Sequence, residues 1–326
     1  MINAESYYLR NPDIVAVGTA AHYLFINVDG LVLELHTQHP AHWSYLMQTL
    51  MVPTRGDTLC RQLADSLAID TMDLTPLREQ GILLEAPTTT ELETRRDYVF
   101  TNNQGYHFKR GKQQCAHLVV ALTGSIIAGL MGPVILSLCY AGFHSQIDLI
   151  LTEAALRFTT SDFFEFYGIR TWVDAFDRRD GVHVPHVALG QSADCLLVMP
   201  ASAACCQRLA NGACSDLLSM TVAATTAPVI IAPAMNTAMW NHAAVQRNVQ
   251  RLRDDGMYVI EPALIFSAVE LVHHGTPMYG GLGTFWHGAL GVIHTLIAAL
   301  NHHRQWGSHG LEQTEPGLLG VPEAPR

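Results

Sequence analysis

Pro228-Val229-Ile230-Ile231-Ala232-Pro233-Ala234-Met235-Asn236-Thr237-Ala238-Met239-Trp240 decides the fold. Its first half is an unbroken apolar run rich in β-branched residues, the pattern of a strand covered on both faces. A polar, helix-patterned stretch follows, so Pro233 to Trp240 reads as the turn at the carboxyl end of that strand. Open α/β sheets place their ligands at such turns. Asn236 offers amide donors and an acceptor, Met235 and Met239 are soft surfaces that pack on a flat ring, and Trp240 floors a pocket.

Working outward, the same alternation repeats. Leu118–Leu122 precedes a helical pattern over 125–142, Ile147–Leu151 precedes 153–165, and Cys195–Met199 precedes 203–224. After the opening strand come a helical pattern over 237–254, the strand Met257–Ile260 and a last helix near 287–303. Strand and helix in turn imply an α/β fold with a doubly wound parallel sheet of the flavodoxin or Rossmann type, placed here at 117–305. Residues 1–97 differ. Tyr23 to Leu35 reads as two strands about the Asp29-Gly30 turn, followed by helices near 41–51, 57–68 and 74–80 and a short strand at 81–85, a small winged-helix-like α+β domain. Residues 98–116 read as a linker, and 306–326, poor in apolar period, as a disordered tail.

A chain of 326 residues has room for two such domains. Only 15% of residues are charged against 49% hydrophobic, which points to a homo-oligomer that hides apolar surface. The net charge of −10 excludes a nucleic-acid partner, since 19 Lys and Arg supply no basic footprint. The seven Cys show no paired metal-type spacing, so reduced thiols, no metal and a cytoplasmic setting are expected. Met1 to Ser6 lacks the basic and apolar regions of a signal peptide. Ile126–Phe143 is apolar, but Gly129, Gly132, Pro133 and Ser137 within it suit a buried helix better than a membrane span.

The remaining strand ends carry polar turns. Thr123-Gly124-Ser125 opens a helix whose amides can face an anion. Thr152-Glu153-Ala154-Ala155-Leu156-Arg157-Phe158 follows the second strand, and Pro200-Ala201-Ser202-Ala203 a later one. Together with Pro233-Ala234-Met235-Asn236-Thr237-Ala238-Met239-Trp240, these turns resemble the motifs of the flavin-containing cysteine decarboxylases. That family includes phosphopantothenoylcysteine decarboxylase and the epidermin-type peptidyl-cysteine decarboxylases. The resemblance covers about 117–262. It implies FMN as cofactor, with Gly124 and Ser125 on its phosphate side and Thr152, Phe158, Ser202 and Ala203 as further contacts. His186, fourteen residues before Pro200, matches the family's active-site histidine, whereas His183 beside it reads as a surface residue. Asn236 is carried over as catalytic and as the holder of the substrate carboxylate, with Met235 and Met239 against the substrate.

Two departures matter. Ala204 and Cys205 stand where the family has Asn and Thr. No Cys follows Cys214, although the coenzyme A pathway enzyme uses a later Cys to return electrons to its product. The resemblance therefore implies oxidative decarboxylation of the C-terminal cysteine of a ribosomally made precursor peptide, giving an enethiol and CO2, with the flavin reoxidised by an external acceptor. Its rivals are phosphopantothenoylcysteine decarboxylation and a flavin-binding regulatory protein without catalysis. The N-terminal segment resembles in architecture the PqqD-type precursor-recognition elements, which would hold the peptide's leader by strand addition; an oligomerisation arm is the alternative. The family also implies a trimer or a multiple of trimers.

Overall fold

The computed structural model describes residues 2–27, 30–37, 39–69, 72–94, 114–142, 144–266, 279–283 and 288–307. Strands in chain order are β1 Tyr7–Arg10, β2 Val15–Gly18, β3 His22–Asn27, β4 Gly30–His36, β5 Thr54–Arg55, β6 Leu83–Ala86, β7 His117–Leu122 and β8 Gln146–Leu151. They continue with β9 Arg170–Trp172, β10 Cys195–Ala201, β11 Val229–Pro233, β12 Met235–Asn236, β13 Tyr258–Ile260, β14 Ala263–Phe266 and β15 Tyr279–Gly283. A nine-stranded sheet takes the order β4-β3-β2-β13-β11-β10-β7-β8-β9. From β13 to β9 every pairing is parallel. The chain runs outward from β7 through β8 and β9, then returns to β10 and runs outward the other way. The order therefore reverses between β7 and β10, the point at which open sheets leave a crevice.

Both faces are covered, as near-continuous apolar strands require. Leu118, Val120 and Leu122 of β7 face helices α4 (Met131–Ala141) and α11 (Gly288–His302). Their neighbours Val119 and Ala121 face the opposite layer. That layer contains α6 (Pro185–Ser192), α7 (Ala203–Ala210), α8 (Leu217–Ala224), α9 (Thr237–Trp240) and α10 (Ala243–Asp254). The apolar stretch beginning at Ile126 folds as a short 3-10 turn and α4, packed in this core, and no described helix is long and apolar enough to cross a membrane.

The N-terminal elements match the expected inventory: hairpin β3–β4, helices α1 (Pro40–Thr49), α2 (Gly56–Leu67) and α3 (Thr75–Glu79), and the strand β6, which joins β1 and β5 in a small sheet. The hairpin, however, is no self-contained wing. Strand β2, which sequence patterning did not reveal, pairs antiparallel with β3 on one side and with β13 on the other, Val17 opposite Ile260. The expected doubly wound parallel sheet runs from β13 to β9, and three antiparallel strands, β2, β3 and β4, extend it beyond β13. Val15, Val17, Leu24 and Ile26 enter the same core as α11, while Ala16, Tyr23 and Phe25 face α1 and α2. A buried polar seam sits where the two parts meet. The Glu261 carboxylate accepts from Tyr23, Ser44 and Arg253, and Arg10 donates to the Glu261 carbonyl at 3.3 Å.

Besides 125–142, three expected helices are divided. Gly212 at φ 62 ends α7, a left-handed turn that suits glycine, and Asp216 then caps α8 with a reciprocal bond to Ser219. His242 caps α10 and separates it from α9. Over 153–165 only a 3-10 turn at Ala155–Arg157 and α5 (Ser161–Glu165), capped by Thr160, are helical. Most of the expected linker and the tail beyond 307 lie outside the described residues.

Candidate active site

Parallel strands bring their carboxyl ends to one edge, and four neighbours, β11, β10, β7 and β8, carry the polar turns there. Gly124 and Ser125 follow β7, Thr152 and Phe158 follow β8, Ser202 and Ala203 follow β10, and Asn236 follows β11. His186 reaches the same edge by another route. It lies in the first turn of α6, which descends to the start of β10, so the helix N-terminus stands at the carboxyl edge.

The turns are held at close range. A Cβ added to Gly124 would lie 2.5 Å from the Ala154 Cβ, so the two turns after β7 and β8 touch only because residue 124 has no side chain. Thr123, fully buried, donates its hydroxyl to the Pro200 carbonyl at 2.7 Å and accepts from the Ser202 amide at 2.9 Å. That pair of bonds fastens the turns on either side of the crevice. Sequence reasoning placed Thr123 in the turn before Gly124 but gave it no role of its own.

The candidate residues differ in how free they are. Ser202 caps α7, accepting from the Cys205 amide at 3.3 Å. Thr152 is buried, donating to the Leu122 carbonyl at 3.2 Å and accepting from the Ala155 amide at 3.3 Å, so its hydroxyl is committed to shaping the turn. Phe158 is exposed and offers a bare ring. The Asn236 side-chain oxygen accepts from the Ala238 amide at 2.8 Å and so caps α9, and the residue is exposed. Met239 is exposed and Met235 half-buried, while Trp240 is fully buried beneath them. His186 is half-buried, and its Nδ1, closed off from water, has no hydrogen-bond partner among the described residues. His183 is exposed.

Around Asn236 the chain adds a small antiparallel sheet, in which β12 pairs with β15 (Asn236 opposite Gly281) and β15 with β14. Of the departures, Ala204 is exposed, whereas Cys205 is wholly buried in the layer beneath the sheet. Burial pushes its thiol well above the ordinary range, so Cys205 is core and not a nucleophile. Such a site can bind a flat, anionic group at the switch point, orient a carboxylate with an amide and exchange a proton at an imidazole.

The family model described as Flavoprotein matches residues 108–277, just over half of the chain. A stretch of 147 residues is 41% identical to the coenzyme A biosynthesis bifunctional protein CoaBC of Mycobacterium bovis, covering 45% of this chain and 34% of that one. The chain thus spans about a third of the length of those curated relatives. It is 30% identical over 150 residues to the mersacidin decarboxylase of a Bacillus species, covering 46% of this chain and 75% of that enzyme. The solved structure of the FMN-dependent cysteine decarboxylase SpaF is 32% identical and covers 57% of this chain and 97% of its own, with a TM-score of 0.47.

Proposed function

The chain belongs to the flavoprotein family, and from that premise we propose that it is an FMN-dependent peptidyl-cysteine decarboxylase, releasing CO2 from the C-terminal cysteine of a precursor peptide and leaving an enethiol. The observation that carries this reading is the convergence of His186, whose buried Nδ1 has no partner among the described residues, and the Met235-Asn236 turn on the carboxyl edge beside the strand-order reversal.

The residues present fit FMN. Gly124 lets the turns after β7 and β8 touch, the Ala203 amide opens α7, and the Phe158 ring stands exposed after β8. FMN, when bound, supplies the acceptor for the two electrons that leave the cysteine side chain. His186 takes the thiol proton at its imidazole, and Asn236 donates from its NH2 to the substrate carboxylate, holding the breaking C–C bond in one orientation. Met235 and Met239 exclude water from the reacting carbon. With no Cys after Cys214, the chain supplies no thiol of its own there to reduce the product.

Strand β4 ends the large sheet, so its outer edge is where a leader peptide would add as a further strand. Exposed apolar side chains, among them Ile126, Leu130, Phe166 and Phe176, favour a homo-oligomer, with a trimer or its multiple as the arrangement and the cytoplasm as the setting. Incubating purified protein with Cys-terminated peptides and reading their masses tests the proposal: loss of CO2 and two hydrogens from a peptide is expected. Turnover of phosphopantothenoylcysteine in place of every peptide would overturn it. That second reading is favoured by the 41% identity with the coenzyme A biosynthesis proteins.

A further inference from the structure

We propose that His22, Glu34, His36 and His302 bind one divalent transition metal of the zinc class, which fastens the end of hairpin β3–β4 to the last turn of α11. The register of the hairpin builds the site. His22 and His36 are cross-strand partners, and Glu34, two residues before His36, projects from the same face. Leu24 and Ile26 lie on the face of β3 that carries His22, and they share a core with α11, whose final residue is His302.

The Glu34 Oε1 atom is the common vertex. It lies 3.1 Å from His22 Nδ1, 3.3 Å from His302 Nε2 and 4.0 Å from His36 Nε2. Zinc with ligand bonds near 2.0–2.1 Å sets its tetrahedral ligands roughly 3.3 Å apart, the separation seen here. The His22 ring centroid is 4.2 Å from that of His36 and 4.6 Å from that of His302. Hydrogen bonding leaves part of the arrangement unexplained. His302 is 8% exposed, yet its Nε2 is sealed from water and lacks a hydrogen bond among the described residues, although it faces Glu34. The other nitrogen, Nδ1, lies 2.9 Å from the Tyr258 hydroxyl, an outer partner that fixes the ring and turns Nε2 towards the carboxylate.

A cavity of about 830 Å³ opens beside the site, lined in part by His22, Asp254, Asp255, Tyr258 and His302, and gives an entry path. Three imidazoles and a carboxylate close a tetrahedron without a vacant position, which marks a structural site rather than a catalytic one. It stands at the amino edge of β13, across the sheet from Asn236. Sequence spacing conceals it because the ligands lie at 22, 34, 36 and 302.

The test is a titration of the chelator-treated full chain with Co²⁺, followed by displacement with Zn²⁺. The expected result is one equivalent bound per chain with the intense visible bands of a tetrahedral ion. His36→Ala, at an exposed position, should weaken binding at least about tenfold with circular dichroism unchanged, and His302→Gln should do the same. The proposal is overturned if no stoichiometric binding occurs. It is equally overturned if binding survives both substitutions, or is lost instead in His39→Ala, since His39 and His42 stack at 4.8 Å on another surface.

Discussion

The Ser202 amide donates to Thr123 Oγ1 across 2.9 Å and so joins the turns after β10 and β7, on opposite sides of the strand-order reversal. The Thr123 hydroxyl passes the bond on to the Pro200 carbonyl at 2.7 Å. Thr123→Val keeps the shape and removes both bonds in a fully buried setting. It is expected to cost about 1–3 kcal/mol of stability and to weaken FMN binding, whereas Thr123→Ser retains most of both. Denaturant unfolding and flavin fluorescence titration measure the two effects.

Gly124→Ala drives a methyl group into Ala154, 2.5 Å away, and must part the turns after β7 and β8. Flavin affinity is expected to fall by about tenfold or more, with a loss of about 1–3 kcal/mol from overpacking. Adding Ala154→Gly to Gly124→Ala reopens the space, so the double variant should recover most of the affinity. No recovery would mean that the backbone, and not the contact, sets the requirement.

His186→Gln tests the proton acceptor. CO2 release should fall by about a hundredfold to ten-thousandfold while FMN stays bound, because the imidazole acts on the substrate and not on the cofactor's anchoring turns. Stopped assays for CO2 and the flavin absorption spectrum separate these outcomes. A regulatory flavoprotein would lose neither binding nor function.

Asp148, fully buried, sits at the far end of the sheet. Burial works to raise its carboxyl, but bonds from Arg170, His117, Trp172 and Gln146 prevail and hold it well below the ordinary carboxylate range. A carboxyl depressed in the folded state contributes stability that is present above its unfolded value of about 3.9 and lost as pH falls below it. Asp148→Asn is therefore expected to cost on the order of 3 kcal/mol at neutral pH and to flatten the acid limb between about pH 5 and pH 2. Urea unfolding across that range checks both.

Much of this architecture was legible locally. The apolar runs of β7, β8, β10, β11 and β13, and the Asp29-Gly30 dipeptide between β3 and β4, signal their elements without help from distant residues. Chain order alone then put Gly124, Thr152, Ser202 and Asn236 at strand ends. What stayed hidden depends on long-range contact. The pairing of Gly18 with Val259 joins β13 to four-residue β2, a strand too short to show a period. Glu261 likewise carries no local sign that Tyr23, Ser44 and Arg253 converge on it. The divided helices were missed because an apolar pattern spans a break that only Gly212, Asp216 and His242 announce.

The order β4-β3-β2-β13-β11 also sets a ruler for the substrate. A leader added outside β4 would lie five strand spacings from β11, about 24 Å at about 4.8 Å each. Extended peptide covers about 3.3 Å per residue, so at least about seven residues must separate the last docked residue from a cysteine held by Asn236. A precursor with a shorter spacer can occupy the edge or the crevice of one subunit, but not both at once.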